Sequence, residues 1–257
     1  MLDGIGAVAA WSVFARQGEA LAARFADRRD NQADAARFRE AAARIGSVEE
    51  LLRDRRTLTF VLEAFQLEGE IGKTAVIRRL LTEDPADDRS FANRMVDPRY
   101  REINRAFGGR EGPPLADPAL VQRIVSGAMT NRFEKAAGQG NAGLREALYF
   151  QRKAATVSNV NELMSDRAMT AVVRGALGLP EKFGLLGFEQ QRRILNDRVD
   201  FAQLRDPAAV KRLVQRYLVQ APQNPAPSDP RLALLAPGDS GAAGLLGLIG
   251  SGISIRA

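Results

Sequence analysis

The sequence predicts an all-α fold. It places two similar helical lobes at about residues 35–107 and 147–218, in a body of residues 1–220, followed by a Pro/Gly-rich tail at 221–257. Three observations carry this reading. Apolar residues recur at helical spacing nearly throughout, with no convincing period-two run and no hairpin signal. Aspartate–proline pairs punctuate the chain where helices should begin. Residues 35–67 align without a gap to residues 147–179, at a constant offset of 112.

Taken in order, Phe14, Leu21 and Phe25 share one face of a first helix. Ser47-x-x-Glu50 is a capping box, in which the hydroxyl meets an orphan amide and the glutamate reaches back. Asp97-Pro98, Asp117-Pro118 and Asp206-Pro207 each put an acceptor before a proline. Proline lacks the N–H that would have no partner in the first turn. Val121, Ile124, Val125 and Ala128 mark another helix. Val210, Leu213, Val214, Tyr217 and Leu218 follow i, i+3, i+4, i+7, i+8 spacing. From Ala221 the composition changes: Pro222, Pro225, Pro227 and Pro230 precede a glycine-rich apolar end, and 221–257 reads as a mostly disordered tail. Leu245, Leu246, Leu248 and Ile249 are apolar enough to dock on a partner or on the body.

The alignment contains twelve identities in 33 positions, among them Phe38/Phe150, Leu51/Leu163, Asp54/Asp166, Arg55/Arg167 and Leu67/Leu179. Asn159-x-x-Glu162 repeats the N-cap signature of Ser47-x-x-Glu50. Further on, Phe91-Ala92 before Asp97-Pro98 is echoed by Phe201-Ala202 before Asp206-Pro207. Two copies are too few for a solenoid, so an internal duplication implies a compact pair of lobes. The repeated Asp54–Arg55 and Asp166–Arg167 pairs are expected to fix helix junctions through caps and an ion pair, rather than to form surface sites. Where the copies differ, at Glu68 to Asp88 and in the tail, is where function is expected to lie.

The 257 residues include no cysteine and no histidine. Disulfides, zinc-thiolate sites and Ser-His-Asp triads are thereby excluded. Lys and Arg total 37 against 31 acids, for a net charge of +6, and only Lys73, Lys135, Lys153, Lys182 and Lys211 of these are lysines. An acidic or nucleic-acid partner is one reading. Basic residues interspersed with acids on solvated helix faces are the other. Asp3 stands where a secretory leader would be positive, and no segment approaches the ~20 apolar residues of a membrane span.

Three motifs imitate chemistry. Gly69-Glu70-Ile71-Gly72-Lys73-Thr74 ends like a phosphate-binding loop, but Leu67 stands where the pattern needs glycine and no strand precedes. A helix C-cap at Gly69 and a new helix from Ile71 is the expected structure. Gly238-Asp239-Ser240-Gly241 has no histidine to activate its serine. Glu83, Asp84, Asp87 and Asp88 lack the calcium-loop spacing and its central glycine. No catalytic, cofactor-binding or metal residue is expected.

Leu51-Leu52-x-Asp54-Arg55 through Ala64-Phe65-x-Leu67 resembles an uncharacterised bacterial domain family of unknown function, encoded among flagellar genes. So do Phe91-Ala92-Asn93-Arg94, Asp97 with Arg99-Tyr100, Ala106-Phe107-Gly108, Phe133-Glu134 with Gly138, and Gly178-Leu179-Pro180. The resemblance covers roughly residues 8–220. One departure is Gln66, where the family pattern has glycine; the second copy keeps Gly178. The resemblance implies a non-enzymatic flagellum-associated accessory protein, cytoplasmic or on the flagellum, with other flagellar proteins as partners and no cofactor. The alternatives are a basic nucleic-acid-binding regulator, and an enzyme using carboxylates in a cleft between the lobes.

Overall fold

The computed structural model describes residues 6–110 and 112–221. The tail beyond Ala221, with its Gly-Asp-Ser-Gly run, lies outside the described residues, as does the segment around Asp3. Among the described residues there are thirteen α-helices, several short 3-10 turns and no strand. None of the helices is long and apolar enough to cross a membrane.

Two long helices open the chain, α1 (Ala7–Ala26) and α2 (Arg29–Ala42). Then come α3 (Val48–Arg53), α4 (Arg55–Ala64), α5 (Thr74–Thr82), α6 (Phe91–Arg94) and α7 (Pro98–Phe107). The longest, α8 (Pro118–Gly140), leads to α9 (Leu144–Lys153), α10 (Val160–Ser165), α11 (Arg167–Ala176), α12 (Phe188–Arg198) and α13 (Pro207–Gln220). Each aspartate–proline pair starts a helix as its chemistry dictates. Asp97, Asp117 and Asp206 accept from the amides of Arg99, Ala119 and Ala208 at 2.8–2.9 Å, with proline the first helical residue.

All four boundaries of α3 and α4 recur in α10 and α11, shifted by 112 residues. The caps match too. Ser47 and Asn159 accept from the amides of Glu50 and Glu162 at 3.2 and 3.0 Å. In return both glutamates accept, at 2.8 Å, from the amide one residue before the cap: Gly46 in one case, Ser158 in the other. That is one residue earlier than a standard capping box. At the C-termini of α4 and α11 the chain closes with the same pair of bonds. Leu67 N–H reaches Leu62 C=O at 2.8 Å, and Leu179 N–H reaches Arg174 C=O at 3.0 Å. Between them Gln66 and Gly178 hold φ of +57° and +63°. This is the Schellman closure, whose left-handed residue is usually glycine.

The correspondence weakens further on. The segment after Phe91 forms α6, whereas its echo after Phe201 forms only a 3-10 turn, Gln203–Arg205. The false phosphate loop also departs from expectation. Gln66, not Gly69, closes α4; Glu68–Glu70 make a 3-10 turn; and α5 starts at Thr74 rather than Ile71. The reason is the Leu67–Leu62 closure, which ends α4 before the glycine is reached.

The side chains sort into two apolar cores. One gathers Phe38, Leu51, Leu58, Phe60, Ile77, Ile103 and others from α2 to α7. The other gathers Phe150, Leu163, Val172, Leu195, Val214 and others from α9 to α13, and also takes α1 through Trp11, Phe14 and Phe25. Helix α8 serves both: Leu120, Ile124 and Ala128 lie in the first core, Phe133 and Ala137 in the second. Phe133 meets Phe14 edge-on at 5.5 Å, which anchors α1 beside the far lobe. Where α8 crosses α4, a Cβ on Gly127 would fall 2.9 Å from the Ala64 carbonyl oxygen, so the small residue sets how closely the two helices approach.

Candidate functional site

Two open grooves, of about 670 and 690 Å³, lie on corresponding faces of the molecule. The first runs between α2 and α4; the second is lined from α9 and α11, with Gln66, Asp97, Arg99 and Glu134 added. Asp54–Arg55 lines the first and Asp166–Arg167, 112 residues later, the second. The matched helix boundaries put them there.

Both aspartates are caps. Asp54 accepts from the Thr57 amide at 3.0 Å and hydroxyl at 2.8 Å. The Thr57 amide is the chief reason its pKa lies below the usual carboxylate range. Asp166 accepts from the Ala168 and Met169 amides at 2.9 and 3.1 Å. It also accepts the Tyr149 hydroxyl at 2.5 Å. Burial and the Asp166 charge push the Tyr149 pKa up. The expected ion pair is not formed. Neither aspartate bonds the arginine beside it, because the caps point the carboxylates along the helix axis toward free amides.

In the first groove four of the five lining arginines pair with carboxylates. Asp34 accepts from Arg37, from Arg132 at 2.9 Å and from Arg56 at 3.4 Å. Burial raises the Asp34 pKa, yet Arg37 and Arg132 bring it out below the ordinary value. Arg132 also holds Glu63 at 2.8 Å and lies 5.1 Å above the Phe60 ring, itself stacked on Phe38. Arg44 pairs with Glu40 at 2.9 Å. Of the arginines lining this groove, Arg55 alone has no carboxylate partner among the described residues.

The second groove is arranged differently. Glu134, buried on α8, accepts from Arg152 at 2.8 and 3.1 Å and from the Gln66 amide at 3.2 Å. Asp97 clamps Arg99 at 2.6–3.0 Å, raising the arginine's pKa, and Arg99 donates at 2.7 Å to the Gln66 carbonyl oxygen. Gln66 therefore ties the end of the first lobe to α8 by both its side chain and its backbone. Arg145, Arg167 and Arg174 line the same groove and have no carboxylate partner among the described residues. Glu146 is the lining acid without an arginine partner there.

The acidic cluster is a structural loop. Glu83 accepts from Arg79 and from the Phe91 amide, and Asp84 and Asp87 accept from the Ala86 and Arg89 amides at 2.9 and 2.8 Å. Among the described residues no group of three or more His, Cys, Asp or Glu side chains is placed to hold a metal ion. In the differing segment, Glu68 bonds Asn131 and Lys135 on α8, so it too fastens the lobe to the central helix. Sequence reasoning gave no role in a site to Arg132, Glu134, Tyr149 and Arg152, whose charged partners lie on other elements, 17 to 98 residues away. For Gln66 a signal existed, namely its alignment with Gly178.

No curated protein matches the chain. A crystal structure of a protein from Agrobacterium tumefaciens shares the fold, with a TM-score of 0.74 at 24% identity over 86% of this chain and 96% of that one. Residues 64–210 match the family described as "Protein of unknown function (DUF1217)", more than half of the chain, and the protein belongs to that family.

Proposed function

We propose that this protein is a non-enzymatic accessory factor of the flagellum, acting through protein–protein contacts from the cytoplasm or on the flagellum itself. The reading rests on its resemblance to a family encoded among flagellar genes. The observation that supports contact rather than chemistry is how the interior polar groups are used. Glu134 bonds Arg152 and Gln66, Arg132 bonds Asp34 and Glu63, and Glu68 bonds Asn131 and Lys135, so both lobes are held to α8. Among the concave surfaces open to a partner are the two corresponding grooves. The matched boundaries, caps and closures of α3–α4 and α10–α11 support an origin of the lobes by internal duplication. A nucleic-acid-binding role is the second reading, supported by the net charge of +6. The pairing of Arg37, Arg44, Arg56, Arg99, Arg132 and Arg152 with carboxylates favours the first. Affinity capture from motile cells, with the full chain and with a chain ending at Ala221, tests it. Recovery of the same flagellar protein by both forms places the contact on the body; recovery of no flagellar protein by either counts against the proposal.

A further inference from the structure

The two corresponding grooves differ in one chemical respect. In the first, a carboxylate of the chain itself, Asp34, bridges Arg37, Arg56 and Arg132. In the second, 112 residues on, Glu146 stands at the place of Asp34 but bonds no arginine. Tyr149 replaces Arg37 and Ala168 replaces Arg56. The other acids of this groove have their oxygens occupied: Asp97 by Arg99, Glu134 by Arg152 and Gln66, Asp166 by Tyr149 and two amides. Arg145 and Arg167 stand exposed at the rim and Arg174 half-buried near Tyr217, all three without carboxylate partners among the described residues. Each guanidinium offers up to five N–H donors in a fork that fits a carboxylate.

We infer that the second groove is a docking site for an acidic peptide segment of a partner protein, whose carboxylates pair with Arg145, Arg167 and Arg174. The inference rests on the protein-contact reading above and names the partner's chemistry. The formal charges lining the groove balance, four arginines against Asp97, Glu134, Glu146 and Asp166. Recognition therefore comes from short-range, directed donors rather than from a long-range positive field. This is the reason to prefer a peptide carboxylate over the phosphate backbone of a nucleic acid, which relies on a basic stripe. At about 690 Å³ the groove is in the range of sites that take a short segment.

Fluorescence anisotropy with a labelled Glu-Ser repeat peptide tests this, using the full chain at low salt. A Gln-Ser peptide and a labelled single-stranded oligonucleotide run beside it. The expected result is saturable binding of the acidic peptide alone. It should weaken about 100-fold in the Arg145→Ala, Arg167→Ala, Arg174→Ala triple variant, recover partly in the corresponding triple lysine variant, and change less than about threefold in Lys211→Ala, an exposed residue outside both grooves. Far-ultraviolet circular dichroism checks that each variant keeps its helices. No saturable acidic-peptide binding, binding unchanged by the triple variant, or binding of the oligonucleotide in place of the peptide overturns the inference. Failure of the broader reading is seen separately, in the swimming of a deletion strain, and does not depend on this groove.

Discussion

Gln66 and Gly178 occupy the same left-handed backbone position, 112 residues apart, each closing a helix that ends a lobe's capped pair. Glycine enters this region freely, while an L side chain there costs roughly 1–2 kcal/mol. Gln66 accepts that strain while its amide donates to the buried Glu134 carboxylate. Replacing it by glycine or by alanine removes the same hydrogen bond, but only glycine also relieves the strain. Gln66→Gly should therefore be more stable than Gln66→Ala by about 1 kcal/mol, and Gly178→Ala should destabilise by a similar amount. Urea denaturation of the three variants measures this, and alanine matching glycine at position 66 would refute it.

The approach of α4 to α8 depends on Gly127. Alanine is the better helix former by about 1 kcal/mol, yet at 127 its Cβ would lie 2.9 Å from the Ala64 carbonyl oxygen. A backbone oxygen cannot swing aside, so Gly127→Ala is expected to lower stability by about 1–2 kcal/mol. Gly18, in α1, has nothing within 4 Å of its Cβ position, and Gly18→Ala should instead add about 0.5–1 kcal/mol. Thermal melts of the two variants should move in opposite directions.

All three tyrosines of the chain have pKa values pushed up. Burial is the first cause in each: Tyr100 and Tyr217 rise to about 12, and Tyr149, bonded to Asp166, rises as well. An unfolded tyrosine ionises near ~10. A phenol whose folded pKa is raised stabilises the fold fully below the unfolded pKa, and that contribution is lost as pH climbs from about 10 towards 12. Tyrosinate absorbance should therefore show no step near pH 10 in the folded protein and should rise together with loss of helicity at higher pH. A tyrosine titrating near 10 with the helical signal intact would contradict this.

The local grammar of this fold was legible in the chain. Asp97, Asp117 and Asp206 cap helices, Ser47 and Asn159 start matched ones, and Val210 through Leu218 face a core, because capping and periodicity depend only on near neighbours. Long-range choices were not. Nothing in the spacing of Phe14 and Phe25 says that α1 joins the second core rather than the first; that follows from Phe133, more than a hundred residues away. The Asp–Arg pairs were read half correctly: the caps form and the ion pairs do not, since amide donors at a helix start fix the carboxylate's direction before its neighbour can compete. The candidate site was the least legible. It depends on which arginines find carboxylates, and Arg132 with Asp34 and Arg152 with Glu134 pair across elements that no local pattern connects.

The flagellar role proposed above requires that the protein contribute to motility. Its most direct test is swimming in soft agar by a strain lacking the gene, complemented with the full chain. Deletion is expected to impair swimming, and the full chain to restore it. Normal swimming and intact flagella in the deletion strain would contradict it.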